Sequence, residues 1–205
     1  ASASFVREAL AHFEATRRDE VERTQHSADT SVVWTENPRR YWGMDPIQGA
    51  FSMLTRSKAV TYENLRLRDP SFIDRVDAWF AGKVRQETGV AVPTEKTAPP
   101  MFMPFRLREL VIENRVVVSP MDMYSAVDGT PSDFHFVHFG SLAMGGAGLV
   151  FTEMACVSPE GRITPGCAGL YKPEHVSAWR RIIDFVHANS GAKFAIQIGH
   201  AGRKG

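Results

Sequence analysis

Residues 115–124 read Arg-Val-Val-Val-Ser-Pro-Met-Asp-Met-Tyr, an apolar run followed by a short turn rich in Met and polar residues. The three valines, residues 116–118, are β-branched and predict a strand that is buried on both faces. Because Pro120 cannot donate to a sheet, the strand must end at about Ser119. The turn at residues 121–124 then lies at the carboxyl end of the strand, where parallel α/β folds bind ligands.

Two further apolar runs follow and alternate with helical patterns. We predict strands near residues 115–118, 149–153 and 193–198, with helices at residues 132–144 and 174–189. The predicted inward residues are Phe134, Val137, His138 and Leu142 in the first helix and Val176, Trp179, Ile182, Ile183 and Val186 in the second, with Gly191 as a C-terminal cap. This order implies parallel strands with right-handed crossovers. A doubly wound sheet and a (β/α)8 barrel both begin this way, and periodicity does not separate them.

The first part of the sequence predicts a mostly helical segment. Amphipathic patterns indicate helices at about residues 4–23, 46–55 and 69–88. Asp45 and Asp69 are suitable N-caps for the second and third, and each is followed by a Pro at the first helical position.

A Pro-rich stretch separates this helical part from the α/β part. Residues 90–100 hold three prolines and no usable period, which predicts a semi-extended linker. The predicted domains are a helical segment at residues 1–89, the linker at residues 90–100 and an α/β portion at residues 101–205.

Composition is that of an ordinary globular protein. Hydrophobic residues make up 43% and charged residues 23%, and the net charge is +1, which argues against a nucleic-acid partner. No apolar run approaches the roughly 20 residues that span a bilayer, so we expect no membrane partner. The two cysteines, Cys156 and Cys167, are too few for a disulfide framework, and a reducing cytoplasm is the expected location. The sequence starts Ala-Ser-Ala-Ser without Met and stops at Gly205, so we expect a piece of a longer protein.

Two histidines offer a candidate metal pair. His135 and His138 lie three residues apart on a predicted helix, a spacing that can bring two metal ligands together. No third ligand lies nearby in the sequence, and buried histidines are commonly just hydrogen-bonded. We therefore expect a packed or capping role and no metal site.

Candidate site residues gather at the ends of the three predicted strands. They are Asp122 and Tyr124; Glu153, Met154, Ala155 and Cys156; and Gln197, His200, Arg203 and Lys204. A barrel would bring these ends to one rim. Gln197 has a donor and an acceptor in one planar group, as the pyrimidine edge of a flavin needs, and Tyr124 can donate a proton. A salt-bridged rim without a ligand is the alternative.

Three segments, in this order, closely resemble the Old Yellow Enzyme family. They are Asn-Arg-Val-Val-Val-Ser-Pro-Met-Asp-Met-Tyr at residues 114–124, Gly-Arg-Ile at residues 161–163 and Gln-Ile-Gly-His-Ala-Gly-Arg-Lys at residues 197–204. The resemblance covers roughly residues 101–205. It implies an oxidoreductase that uses flavin mononucleotide (FMN) and NAD(P)H on a (β/α)8 TIM barrel, of which this α/β portion would hold the first three βα units.

The resemblance also implies roles for single residues. Ser119, Pro120, Met121 and Asp122 would pack along the flavin, Met154 would lie by its ring, and Gln197 would hydrogen-bond its pyrimidine edge. Tyr124 would face the substrate and Lys204 would be an active-site lysine, so these two are the predicted catalytic residues. Relatives carry Cys or Thr where this chain has Asp122, and a carboxylate there disfavours an anionic reduced flavin. We therefore expect Asp122 to be neutral or paired with a cation such as Lys204.

The front of the chain resembles a different family. Ala-Leu-Ala-His-Phe-Glu-Ala-Thr-Arg-Arg at residues 9–18, continuing to Gln25, is similar to the late helix of aromatic-ring monooxygenases that use FAD. A chain that combines these two parts resembles bifunctional flavoenzymes of the anthraniloyl-CoA (2-aminobenzoyl-CoA) monooxygenase/reductase type.

This pairing implies a division of labour in a longer enzyme. The FAD part would hydroxylate an aromatic acyl-CoA with O2, and the FMN barrel would reduce the ring by hydride transfer. We expect a homo-oligomer in which this fragment alone is inactive. Two alternatives stay open: a non-catalytic interaction or dimerisation module, and a stand-alone FMN-dependent ene reductase.

Overall fold

The computed structural model describes residues 3–93 and 98–204, apart from the side chains of residues 3 and 204. The chain divides into two compact units, residues 1–81 and 82–205. Residues 94–97, which belong to the predicted linker, lie outside the described residues. The predicted domain division at residues 90–100 therefore stays a prediction.

The first unit is helical, as predicted. Its helices are α1 (Ala3–Glu36), α2 (Pro46–Thr55), α3 (Tyr62–Arg68) and the first part of α4 (Pro70–Thr88), which continues into the second unit. Asp45 accepts a hydrogen bond from the Ile47 amide (2.9 Å), and Asp69 accepts one from the Phe72 amide (3.0 Å), so both predicted N-caps are confirmed.

Helix α1 runs 13 residues beyond its predicted end at residue 23, to Glu36. The prediction was wrong because the charged run at residues 17–23 does not break a helix, and no Gly or Pro occurs before Pro38. Trp34 therefore lies in the helix, where it stacks on Tyr41 at 4.1 Å between ring centroids. Sequence reasoning also missed α3, which Thr61 and Asn64 begin with a capping box.

The second unit opens with a hairpin that the sequence did not predict. Strand β1 (Phe105–Leu107) pairs antiparallel with β2 (Leu110–Ile112). Arg108 occupies the turn with a left-handed backbone (φ 52°). The turn lacks the Asn-Gly or Asp-Gly signal that usually marks a hairpin, which is why it escaped notice.

A three-stranded parallel sheet follows the hairpin, as predicted. It consists of β3 (Val117–Val118), β4 (Leu149–Cys156) and β5 (Lys193–Gly199) in the order β3-β4-β5. Helices α5 (Asp133–Met144) and α6 (Pro173–Asn189) connect the strands, so the architecture is α/β. Each strand neighbours the next one along the chain, as consecutive βα units require.

Strand β3 is shorter and more exposed than predicted. It pairs with β4 and stands at an edge of this sheet, and the Val117 side chain is 45% exposed. In the part of this chain that the structure describes, β3 has a neighbouring strand on one side only, so the predicted burial on both faces is not seen here.

The two helices cover the sheet with faces that differ in part from those predicted. In α5 the buried side is His135, Phe139, Gly140 and Ala143, whereas the predicted Phe134 and Val137 are 54% and 66% exposed. This helix is apolar almost all round, so its periodicity does not select a face. The buried face is instead marked by Gly140. A Cβ there would lie 2.9 Å from the Phe185 ring of α6, so the two helices approach each other at this glycine.

Helix α6 follows the prediction more closely. Trp179, Ile182 and Val186 are buried as expected, but Val176 is 45% exposed and His175 is buried in its place. The predicted capping role of Gly191 was also wrong. Gly191 does not adopt a left-handed backbone, and a Cβ there would overlap the carboxylate of the exposed Glu113 side chain, which would have to move aside.

Within residues 3–93 and 98–204, no helix is both long and apolar enough to cross a membrane.

Candidate functional site

The carboxyl ends of the three parallel strands meet at one edge of the sheet and bring three of the predicted site residues together. The Asp122 carboxylate accepts a hydrogen bond from the Met154 amide (3.1 Å), which links the loop after β3 to β4. Met154 in turn pairs in register with Gln197 of β5. Asp122, Met154 and Gln197 thus stand on three adjacent strand ends.

The loop at residues 119–124, which we call the β3 loop, faces solvent. Ser119, Met121, Asp122 and Tyr124 are exposed, and Pro120 is half-buried. On the neighbouring strands Gln197 is exposed, and the half-buried Met154 side chain lies across Gly199, where a Cβ would overlap its sulfur. The edge therefore presents an amide, a carboxylate and polarisable thioethers to whatever binds there.

Tyr124 is held in an unusual backbone conformation. Its φ is 52°, in the left-handed region that an aromatic residue rarely adopts. Gly166 packs so closely that a Cβ there would overlap the Tyr124 carbonyl, and the Gly166 carbonyl accepts the Ala126 amide (2.9 Å). Desolvation raises the pKa of the Tyr124 phenol above its usual range, and negative charge on Asp122 raises it further. The phenol is therefore protonated at neutral pH and can donate a hydrogen bond.

A buried pair underlies the β3 loop. Glu153 of β4 and His135 of α5 have fully buried side chains, with 2.7 Å between His135 Nε2 and Glu153 Oε1. The other Glu153 oxygen accepts a hydrogen bond from the Met123 amide (3.0 Å). Sequence reasoning placed Glu153 among the rim residues but missed this role. The available signal was a single carboxylate inside an apolar strand, which must find partners in the core.

The end of β5 is fixed by the turn after β4. The Ala201 amide donates to the Gly161 carbonyl (2.8 Å), and the His200 ring packs on Gly161, where a Cβ would lie 2.8 Å from it. The chain then turns through residues 202–204. The Lys204 side chain lies outside the described residues, so its predicted role and its pairing with Asp122 stay predictions.

Two other sequence features have structural roles. Nδ1 of His135 accepts a hydrogen bond from the Ser132 amide (3.0 Å), which confirms the predicted capping role of His135. Across residues 3–93 and 98–204, no group of three side chains is arranged to hold a metal ion.

Cys156 and Cys167 are buried free thiols, and burial raises the pKa of the Cys156 thiol to about 11, which makes it a poor nucleophile at neutral pH.

The sequence model of one protein family matches residues 100–205, and that family is described as NADH:flavin oxidoreductase / NADH oxidase. The chain belongs to this family. Residues 1–99 lie outside the match, so the resemblance of residues 9–25 to FAD monooxygenases stays a prediction.

Relatives within the family carry a dehydrogenase name. The NADPH dehydrogenase of Listeria monocytogenes serotype 4a is 45% identical over 106 residues, which are 51% of this chain and 31% of the relative. That of Bacillus cytotoxicus is 41% identical, over 51% of this chain and 30% of the relative. The Old Yellow Enzyme structure from Trypanosoma cruzi superimposes with a TM-score of 0.48 and 27% identity, over 52% of this chain and 28% of that one. The chain therefore spans about a third of the length of these relatives.

Proposed function

We propose that the carboxyl ends of β3, β4 and β5 form one side of an FMN site in an NAD(P)H-dependent oxidoreductase. The observation that carries the proposal is the adjacency of Asp122, Met154 and Gln197 at three consecutive strand ends, in a chain of the flavin oxidoreductase family. Strand ends of this kind are where parallel α/β folds bind cofactors. We propose further that the three parallel strands and the two helices that connect them are the start of a (β/α)8 barrel.

The donor set suits a flavin. The exposed Gln197 amide has both a donor and an acceptor, matching the alternating groups of the pyrimidine edge. Met154 and Met121 offer polarisable, mostly apolar surface to an aromatic ring. Bound FMN would supply the hydride chemistry between the nicotinamide and an electron-poor substrate. Ser119 and Pro120 would line the edge of its site.

Tyr124 and Lys204 would act on the substrate. A phenol whose pKa is raised stays protonated, so Tyr124 can donate a hydrogen bond to a substrate carbonyl. Gly166 packs against the Tyr124 carbonyl, so the backbone that carries the phenol lies in a packed loop. Lys204 would meet an anionic group on the substrate or a phosphate of the nicotinamide nucleotide.

Flavin content and flavin reduction test this proposal. The full-length protein, purified and titrated with FMN, should bind it stoichiometrically and quench its fluorescence. NADPH added without oxygen should then bleach the visible flavin absorption, and an α,β-unsaturated ketone should restore it. A protein that binds no FMN would rule out the proposed site. One that binds FMN without being reduced would rule out the reaction.

A second candidate adds the monooxygenase part. Residues 9–25, which resemble the late helix of FAD monooxygenases, fall within the uninterrupted helix α1, and its Phe5, Leu10 and Phe13 side chains are 63%, 63% and 64% exposed. Such a helix suits packing against a further domain. On this proposal the whole enzyme hydroxylates and then reduces an aromatic acyl-CoA.

Cofactor analysis distinguishes the candidates. The bifunctional enzyme should hold FAD as well as FMN, and 2-aminobenzoyl-CoA should stimulate its consumption of O2 and NAD(P)H. FMN alone, with no response to the thioester, would favour the stand-alone ene reductase. A dimer that binds neither flavin would favour the non-catalytic module.

A further inference from the structure

Two buried side chains connect helix α5 to the β3 loop. His135 and Glu153 are both fully buried, and 2.7 Å separates Nε2 from Oε1. The ring N–H is not aligned on that oxygen, so neither atom makes a hydrogen bond of good geometry. The 2.7 Å separation lies within hydrogen-bond range, so a rotation of the ring that aligned its N–H on the oxygen would complete the bond.

The protonation of this pair follows from the partners of each atom. Nδ1 of His135 accepts the Ser132 amide (3.0 Å) and so carries no proton. The proton of the neutral ring is therefore on Nε2, facing Glu153. The carboxylate thus accepts a hydrogen bond from the Met123 amide (3.0 Å) with one oxygen and faces the His135 N–H with the other (2.7 Å), and two donors are what a buried carboxylate needs.

The Met123 amide is the point where this pair acts on the site. Met123 lies between Asp122, whose carboxylate holds the Met154 amide, and Tyr124, whose backbone is left-handed. The hydrogen bond from the Met123 amide to Glu153 therefore constrains the backbone that carries the Asp122 and Tyr124 side chains. We propose that His135 and Glu153 are positioning residues, which set the conformation of the β3 loop without touching the ligand. The effect that we expect on flavin binding rests on the proposed function, whereas the effect on the loop does not.

Amide hydrogen exchange in the full-length protein without FMN tests the inference independently of flavin chemistry. His135→Ala and Glu153→Gln should each accelerate exchange of the Met123 amide about tenfold. Glutamine matches glutamate in shape but has one acceptor oxygen, so it cannot satisfy both donors. His135→Gln should keep exchange within about twofold of the wild type, because Gln is a favoured capping-box residue with both an acceptor and a donor.

His175 supplies the matched control. It is equally buried and also connects a helix to a loop, but its Nε2 contacts the Asp128 carbonyl (2.9 Å). His175→Ala should therefore accelerate exchange near residues 127–130 and leave Met123 unchanged. Equal acceleration at Met123 would overturn the inference, since it would mean that any buried cavity loosens the β3 loop.

Flavin binding gives the second readout. If the protein binds FMN, His135→Ala and Glu153→Gln should raise its dissociation constant about tenfold and shift its visible absorption, and His135→Gln should show neither effect. Should His135→Ala fail to fold, the comparison of Glu153→Gln with His135→Gln carries the test. Wild-type exchange at Met123 in Glu153→Gln would overturn the inference. A wild-type protein without FMN would overturn the proposed function and leave the exchange result standing.

Discussion

The carboxylate of Asp122 and the backbone amide of Met154 are joined by a 3.1 Å hydrogen bond between residues 32 positions apart. The expectation that Asp122 is neutral or paired with a cation such as Lys204 stays a prediction, and the structure shows a backbone partner for it, the Met154 N–H. A carboxyl oxygen suits such a donor, because it has lone pairs that accept a hydrogen bond. The bond ties the β3 loop to the next strand, so Asp122 has a structural role in addition to its charge.

Replacing Asp122 with Asn separates these two roles. The Asn oxygen can still accept the Met154 amide, so the loop should keep its conformation and FMN should stay bound. Loss of one exposed negative charge should favour the reduced flavin by about 1 kcal/mol, or about 20 mV for a two-electron couple. A spectroscopic redox titration measures the shift. Asp122→Ala, which loses the acceptor as well, should also weaken FMN binding; equal affinity in the two variants would contradict the structural role.

Gln197 is the residue on which the flavin proposal depends most. Removing its amide in Gln197→Ala should weaken FMN binding by about 1–3 kcal/mol, because a polar group of the flavin would be left without its partner. Fluorescence titration gives the dissociation constant. Asn189→Ala, which removes an exposed amide at the C-terminal end of α6, is the control and should bind FMN like the wild type. Unchanged affinity in the Gln197 variant would remove this residue from the site.

Local signals in the sequence predicted the parts of the fold that depend on local chemistry. Asp69 and Pro70 at one end and Gly89 at the other gave the bounds of α4, and apolar runs located the parallel strands. The buried face of α5 was not predictable, because its contact with α6 at Gly140 is set by tertiary packing.

The site shows the same division. The strand-end residues were predictable because parallel strands deliver their carboxyl ends to one edge. The contact of Glu153 with the Met123 amide joins residues 30 positions apart, and it depends on how the β3 loop folds back over β4. No periodicity or motif indicates such a contact. The sequence therefore predicted that Glu153 lies at the strand ends but not its hydrogen bond with the Met123 amide.

Gly166 should be intolerant of a side chain. In Gly166→Ala the new Cβ would overlap the Tyr124 carbonyl, so the loop must shift, at a cost of about 1–3 kcal/mol in the free energy of unfolding. Gly82 is the matched control: it lies in α4, and nothing stands within 4 Å of a Cβ built there. Gly82→Ala should stabilise the protein by about 0.5–1 kcal/mol through helix propensity. Urea unfolding measures both, and equal effects of the two substitutions would contradict the close approach.

Cys156 should make stability fall at alkaline pH. Burial holds the pKa of its thiol at about 11 in the folded protein, against a usual value of 9.0. Below pH 9 the thiol is protonated in both states, so its contribution to stability is complete there. As pH rises from 9 to 11, the unfolded chain loses the proton first, and the contribution is lost progressively. Urea unfolding at pH 8 to 11 should therefore show a steeper decline for the wild type than for Cys156→Ala. In parallel, iodoacetamide should label Cys156 of the native protein slowly at pH 8; rapid labelling, or equal slopes for the two proteins, would contradict the buried neutral thiol.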